Sequence, residues 1–145
     1  MRDLARHLVE GGLLVFHEPD FGGVRSLPPV PLYDRACRWI VDTSSASGQS
    51  WSFLDKIGSA FSRAQLPAPT LRMQTFVARA PHAREWLLAV GHMVESLLPA
   101  MERLGIATAE EVDLPTLRDR LWEEVSTADG LVVGRSELGI WTRVG

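Results

Sequence analysis

The amino-acid sequence predicts an α/β fold, and three features of its hydrophobic pattern support that prediction. Residues 13–16 form a continuous apolar run, which is typical of a strand buried on both faces in the centre of a parallel sheet. Residues 70–79 and 130–144 alternate apolar and polar side chains with the period of two that strands show. Between these segments, apolar residues recur every three or four positions, as they do along amphipathic helices.

Glycines and prolines frame the first strand. Leu4–Leu8 fits the end of a helix that Gly11-Gly12 stops before the strand begins. The polar cluster of residues 17–20 follows the apolar run, so we expect it just past the carboxyl end of the strand. Residues 20–31 are rich in glycine and proline and predict a loop. Nothing before residue 4 supplies a neighbouring strand, and we therefore expect the chain to begin after the first half of its own fold.

Two helices are predicted before the second strand. Pro31 opens the first of them, and Leu32, Ala36, Trp39 and Ile40 recur along it at helical spacing. Residues 43–50 are rich in serine and glycine and predict a break. Ser52 is the predicted N-cap of the second helix, which ends at residues 65–67.

The C-terminal half predicts two further helices and a closing strand. The longest helix covers residues 82–104, with Pro99 inside it and Gly105 at its end. Thr108 and Glu111 have the spacing of a capping box, and we expect the helix that they start to run to about residue 126. The alternating residues 130–144 form the last strand.

Composition excludes several classes of protein. The 145 residues are 46% hydrophobic and 23% charged, with a net charge of −3, as in an ordinary globular domain. The negative charge gives no reason to expect nucleic acid or an anionic membrane as a partner. Cys37 is the only cysteine, which excludes an internal disulfide and a thiolate metal cage. No apolar stretch approaches the length of a membrane span, so we expect a soluble, cytoplasmic protein.

Three local motifs, taken with this order of elements, carry a resemblance to a known family. They are LARHLVEGGLLV at residues 4–15, FSRAQLP at residues 61–67 and ELGIWTRV at residues 137–144. They resemble the C-terminal half of a class I S-adenosylmethionine-dependent methyltransferase, of the group that includes the ubiquinone/menaquinone C-methyltransferases. The resemblance implies a single partial Rossmann-like domain over residues 1–145, with strands equivalent to the fifth, sixth and seventh. Residues 82–126 would be a two-helix insert that covers the site or forms a dimer contact.

The sequence departs from the family in three places. Glu10 stands where the family usually has proline, and Gln65 where it usually has glycine, so we expect a left-handed backbone at Gln65. The third departure is the absence of the acidic-Gly-x-Gly-x-Gly loop that holds the cofactor. Gly11-Gly12 and Gly22-Gly23 are only isolated pairs. S-adenosylmethionine is thus implied for the parent family, whereas no cofactor-binding residue and no cofactor are expected for this chain alone.

The resemblance also implies the candidate site, because the end of the fifth strand faces the pocket between methyl donor and acceptor. His17 or Glu18 would act as the general base or orient an acceptor hydroxyl; alternatively, both are solvated or cap the loop. The predicted substrate-binding residues are Asp20, Phe21, Arg25, Trp39, Trp86 and Met93. The alternative for the aromatic residues and the methionine is that they pack helices together. Adjacent strand residues point to opposite faces, so His17 and Glu18 do not predict a metal site.

Three hypotheses for function remain open at the level of sequence. The first is the C-terminal part of a methyltransferase for a small-molecule acceptor, inactive as this chain alone. The second is a non-catalytic binding or assembly module that pairs with a separate cofactor-binding chain or with a second copy of itself. The third is that Met1 is not the true start, so that the site residues describe a longer parent enzyme.

Overall fold

The computed structural model describes residues 2–48 and 53–144, in which helices and strands are mixed along the chain. The predicted N-cap Ser52 lies outside the described residues. The elements in chain order are α1 (Arg2–Ala5), β1 (Leu13–Asp20), β2 (Arg25–Leu27), α2 (Pro31–Ala46), α3 (Leu54–Arg63), β3 (Thr70–Ala78), α4 (Arg84–Leu104), α5 (Ala109–Val112), α6 (Leu114–Thr127) and β4 (Leu131–Arg143).

The chain divides into two compact units, each made of separate segments. Unit 1 consists of Met1–Gly22, Ser52–Thr75 and Arg135–Gly145. Unit 2 consists of Gly23–Trp51 and Phe76–Gly134. Strands β3 and β4 each contribute residues to both units.

The sheet of unit 1 has the last strand of the chain in its middle. β1 pairs antiparallel with β4, from Leu13 opposite Arg143 to Asp20 opposite Ser136. β3 pairs with β4 as well. The Thr75 and Ser136 hydroxyls are 2.8 Å apart, and the Arg72 carbonyl lies beside Gly139, so β3 also runs antiparallel to β4. β1 and β3 are therefore parallel to each other, with β4 between them.

Helix α3 directly precedes β3 in the chain and packs on one face of this sheet. Its Ile57 and Phe61 are buried against Leu138 and Ile140 of β4. Phe16 of β1 completes the cluster, with its ring edge-on to Phe61 at a centroid distance of 6.1 Å. The even-numbered residues of β1 and β4 thus face the helix, and the odd-numbered residues face away from it, as the two-residue period of a strand requires.

Unit 2 is a helical bundle with a short piece of sheet. Helices α2, α4 and α6 pack against one another, and β2 pairs antiparallel with residues 131–133 of β4. The largest contributions to its core are buried apolar side chains from these helices. They are Leu32, Tyr33, Ile40, Leu87, Val90, Met101, Leu117 and Leu121.

Several predicted elements are confirmed. Pro31 opens α2, Gly105 closes α4 with a left-handed backbone, and β3 spans residues 70–78. Gln65 has a φ of 58°, which confirms the left-handed conformation expected there. Thr108 accepts a hydrogen bond from the Glu111 N–H while the Glu111 carboxylate accepts one from the Thr108 N–H, so the capping box is formed.

Five predictions about the elements are wrong. β1 extends through residues 17–20, which were expected beyond its end, and its partner β4 is antiparallel rather than parallel. Residues 25–27 of the predicted loop form β2. Residues 43–46 of the predicted break belong to α2, where Thr43 is buried and its hydroxyl donates to the Trp39 carbonyl at 2.6 Å. Asp113, with a φ of 48°, divides the helix after Thr108 into α5 and α6.

Membrane-spanning segments were sought among residues 2–48 and 53–144. None of the helices in that part of the chain is both long enough and apolar enough to cross a bilayer.

Candidate functional site

The predicted catalytic residues lie in the second half of β1, on opposite faces of the sheet. His17 is on the face that points away from α3, and Glu18 is half-buried on the face that α3 covers. Asp20 shares the face of Glu18. The structure therefore does not bring His17 and Glu18 together around one ligand atom.

On the face away from α3, His17 belongs to a row of three charged side chains. His17 Nε2 lies 3.4 Å from Glu137 Oε2, and Arg135 Nε lies 2.7 Å from Glu137 Oε1. One carboxylate thus bridges an imidazole and a guanidinium through its two oxygens. The His17 side chain is 70% exposed and that of Glu137 is 34% exposed, so the imidazole stands at the surface above a better-covered carboxylate.

The register of the strands explains how this row forms. Glu137 is paired with Pro19, and His17 is paired with Gly139. His17 and Glu137 are therefore diagonal neighbours on one face, at a separation that long side chains bridge. Gly139 has no side chain, so nothing from β4 stands directly opposite the imidazole.

An aromatic residue lies farther along the same face. Trp141 is paired with Val15 of β1, and the Arg72 guanidinium lies over its indole ring at 5.8 Å from the ring centroid. This cation–π contact fixes an arginine and a flat apolar surface beside the row of charges. The face thus combines a proton-accepting group with planar and cationic groups.

On the opposite face, Asp20 organises the backbone of unit 1. It is buried, and Oδ1 accepts a hydrogen bond from the Gly22 N–H at 2.9 Å. Its Oδ2 accepts from the Phe53 N–H at 2.8 Å, just before helix α3 begins. Both carboxylate oxygens therefore satisfy backbone donors, and Asp20 connects the end of β1 to the start of α3.

Of the remaining predicted substrate-binding residues, Phe21 belongs to unit 1 and the others belong to unit 2. Phe21 is buried, and Arg25 is exposed and donates to the Gly23 carbonyl at 2.9 Å. In unit 2, Trp86 is buried, and its indole N–H donates to the Tyr33 hydroxyl at 2.9 Å. Trp39 is also buried, with the Arg35 guanidinium 5.5 Å from its ring centroid, and Met93 of α4 is half-buried.

Two buried groups of unit 2 are shifted toward their neutral forms. Burial raises the pKa of the Cys37 thiol to about 12. Burial likewise raises the pKa of the Tyr33 hydroxyl, which also donates a hydrogen bond to the Val133 carbonyl at 2.9 Å. Both groups stay protonated at neutral pH, so neither supplies a nucleophile.

The residues described do not fit S-adenosylmethionine. A dinucleotide-type cradle needs glycines between a strand and the N-terminus of a helix. Gly22-Gly23 lies between strands β1 and β2, and Gly11-Gly12 precedes β1. Neither pair therefore opens a helix toward a ligand.

Within residues 2–48 and 53–144, no three His, Cys, Asp or Glu side chains come together in a way that would hold a metal ion.

Comparison with known proteins identifies no relative. The chain matches none of the known family models and none of the curated proteins.

Sequence reasoning missed Glu137 and Arg135 as partners of His17. The alternation of β4 signals that both point away from the buried Leu138 and Ile140. It does not signal which strand lies alongside, and His17 is far from Glu137 in the chain. Only the pairing of β1 with β4 brings these side chains within reach.

Proposed function

We propose that this chain is the C-terminal, acceptor-side part of a class I S-adenosylmethionine-dependent methyltransferase that acts on a small molecule. The observation that carries the proposal is the order of strands in unit 1. β1 and β3 are parallel, the connection between them ends in α3, which packs on the sheet, and β4 is inserted antiparallel. A doubly wound sheet often carries one antiparallel strand, so this order supports the assignment of β1, β3 and β4 to the fifth, sixth and seventh strands.

The side chains of β1 support the second part of the proposal, a companion half that holds the cofactor. Leu14 and Phe16 pack on the face that α3 covers, whereas Leu13 is 48% exposed and Val15 is 55% exposed on the other face. Strands with apolar residues on both faces are typical of the interior of a parallel sheet. Among the described residues, β4 alone pairs with β1, which leaves the other edge of β1 available to a further strand.

In this function His17 is the general base of the acceptor side. It is exposed on the strand three residues before the carboxyl end of β1, and in open α/β sheets ligands bind near the carboxyl ends of the strands. A base in that position accepts the proton that an acceptor hydroxyl or amine loses. Asp20 is used for structure instead, because both of its oxygens are engaged by backbone N–H groups.

Binding of S-adenosylhomocysteine, measured by titration calorimetry, tests the proposal. We expect no binding to the 145-residue chain, because its glycine pairs lie in the wrong context. We expect binding to the protein of native mass isolated from its own cells, whose intact mass is to be measured first. Binding by the 145-residue chain would contradict the division into halves. A native protein that does not bind S-adenosylhomocysteine would contradict the methyltransferase assignment.

The second candidate function is a non-catalytic assembly module. The exposed apolar side chains of β1 and its open edge favour it, because unpaired strand edges promote association. Sedimentation of the native protein distinguishes the two candidates. A stable homo-oligomer of 16.0 kDa chains that does not bind S-adenosylhomocysteine would support the module, whereas a heavier cofactor-binding species would support the enzyme.

A further inference from the structure

We infer that Glu137 and Arg135 are positioning residues that fix the imidazole of His17 as a proton acceptor, an inference that rests on the methyltransferase function proposed above. The geometry that carries it is the row on the exposed face of unit 1. Glu137 uses one carboxylate oxygen for Arg135 at 2.7 Å and the other for His17 at 3.4 Å.

The arrangement selects one of the two ring nitrogens of His17. Nε2 is the ring nitrogen that faces the Glu137 carboxylate, 3.4 Å from Oε2, and a nearby anion favours the tautomer with its proton on Nε2. Nδ1 then carries the lone pair. No hydrogen bond from a described residue reaches Nδ1, so it is the nitrogen that can accept a proton from an acceptor molecule.

Arg135 prevents the carboxylate from swinging away. Residues 135 and 137 lie on the same face of β4, two positions apart, and their contact pairs a guanidinium N–H with a carboxylate oxygen. Without that contact, an exposed glutamate samples several rotamers. Arg135 therefore acts on His17 through Glu137.

The proton balance of the step is simple. The step assigned to His17 is a proton transfer: the acceptor's O–H or N–H bond breaks, its electron pair stays on the oxygen or nitrogen, and the proton binds Nδ1 of His17. The imidazole becomes an imidazolium with both nitrogens protonated, and its Nε2 lies 3.4 Å from the Glu137 carboxylate. The proton then passes to water, which restores the neutral ring.

Exposed ion pairs contribute little to folding stability, so removal of Glu137 should leave the fold intact. The inference is therefore tested by measuring the orientation of the His17 side chain, not the folding stability of the variants. The variants are Glu137→Leu, which removes the carboxylate, Glu137→Gln, which keeps an oxygen acceptor, and Arg135→Gln. Glu10→Leu is the matched control, because Glu10 is an exposed carboxylate of unit 1 outside this row.

The first measurement is the rotamer state of His17 in the purified chain, from side-chain scalar couplings in NMR spectra. We expect one rotamer in the wild-type chain and in Glu10→Leu, averaged couplings in Glu137→Leu, and partial averaging in Arg135→Gln. Glu137→Gln should restore most of the order. Identical couplings in the wild-type chain and in Glu137→Leu would overturn the inference without touching the proposed function, because no turnover is involved.

The second measurement uses the protein of native mass and its methyl-transfer rate. Glu137→Leu should lower kcat about tenfold and leave KM nearly unchanged, since a misoriented base weakens the step but not the binding. An unchanged kcat together with averaged couplings would overturn the catalytic use of the positioning. If the native protein transfers no methyl group, the proposed function fails, and with it the catalytic use, while the couplings still decide whether Glu137 orients His17.

Discussion

In unit 2, aromatic rings pack closely against a glycine of strand β4. A Cβ atom added to Gly134 would lie 2.8 Å from Cε2 of Trp86 and 3.0 Å from Cδ1 of Phe76. The indole that occupies this space also donates its N–H to the Tyr33 hydroxyl, which donates in turn to the Val133 carbonyl. Gly134 therefore allows an aromatic ring to lie on the backbone while a chain of buried hydrogen bonds stays complete.

Replacement of this glycine should destabilise the protein. Gly134→Ala forces the rings of Trp86 and Phe76 to move, and overpacking of this kind costs about 1–3 kcal/mol of the free energy of unfolding. Urea unfolding of the variant measures the change. Gly58→Ala is the control, because an added Cβ meets nothing within 4 Å and alanine favours the helix, so its stability should rise slightly. Equal stabilities for Gly134→Ala and the wild-type chain would refute this account of the packing.

At the scale of the element, helix α3 ends with a residue that is unusual for its conformation. The Leu66 N–H donates to the Phe61 carbonyl and the Gln65 N–H to the Ser62 carbonyl. This is the pattern of a Schellman motif, whose left-handed position is most often glycine. Gln65 occupies that position with a φ of 58°.

Glycine at this position should stabilise the protein. A left-handed conformation costs a residue with a side chain about 1–2 kcal/mol, and glycine avoids this cost. Glycine also increases the conformational entropy of the unfolded chain, which offsets part of the gain. The free energy of unfolding of Gln65→Gly should therefore rise by up to about 1 kcal/mol. The midpoint of thermal unfolding measures the gain. Gln74→Gly, at a strand position of β3, should lower the midpoint instead. A decrease for both variants would show that Gln65 has interactions that outweigh its strain.

The elements also show what sequence patterns contain and what they omit. Local sequence patterns were sufficient to predict three features: the start of α2 at Pro31, the strand β3 from its two-residue period, and the capping box of Thr108. β2 was missed because three residues are too few to show a period. The extension of β1 through Pro19 was missed because proline and charged residues usually indicate a loop, although an edge strand tolerates both.

The candidate site was likewise predictable where it depends on local sequence patterns, and not where it depends on contacts between residues far apart in the chain. The sequence singled out His17 by its position after an apolar strand, and it sets Glu137 on the outward face of β4 by alternation. That these two residues meet depends on the pairing of β1 with β4, a contact between opposite ends of the sequence. A single sequence carries no signal for such a pairing, so the role of Glu137 required the structure.

At the scale of the whole molecule, the buried thiol and phenol should make stability depend on alkaline pH. The pKa of Cys37 is about 12 in the folded chain, against about 8.5 for an unfolded cysteine. The contribution of Cys37 to the free energy of unfolding is therefore complete at pH values below its unfolded pKa. That contribution is lost as the pH rises toward its folded pKa. The loss amounts to up to about 1.4 kcal/mol per pH unit from the thiol, and Tyr33 adds to it above about pH 10.

Urea unfolding at several pH values tests this dependence. The free energy of unfolding should be flat near neutral pH and should fall above about pH 9. Cys37→Ala should flatten the first part of the fall, whereas Ser59→Cys, which adds an exposed thiol on α3, should leave the profile unchanged. A wild-type profile that stays flat through the alkaline range would contradict the burial of both groups.

The central position of β4 in the sheet has a consequence for co-translational folding. β1 and β3 are synthesised before β4, the strand that joins them by hydrogen bonds and follows every other described element in the chain. Until then both strands carry unpaired backbone groups and exposed apolar side chains, which is the state that chaperones bind. The nascent chain therefore completes the sheet of unit 1 only after β4 has left the exit tunnel, and truncation before residue 131 leaves β1 and β3 without the strand that pairs with both.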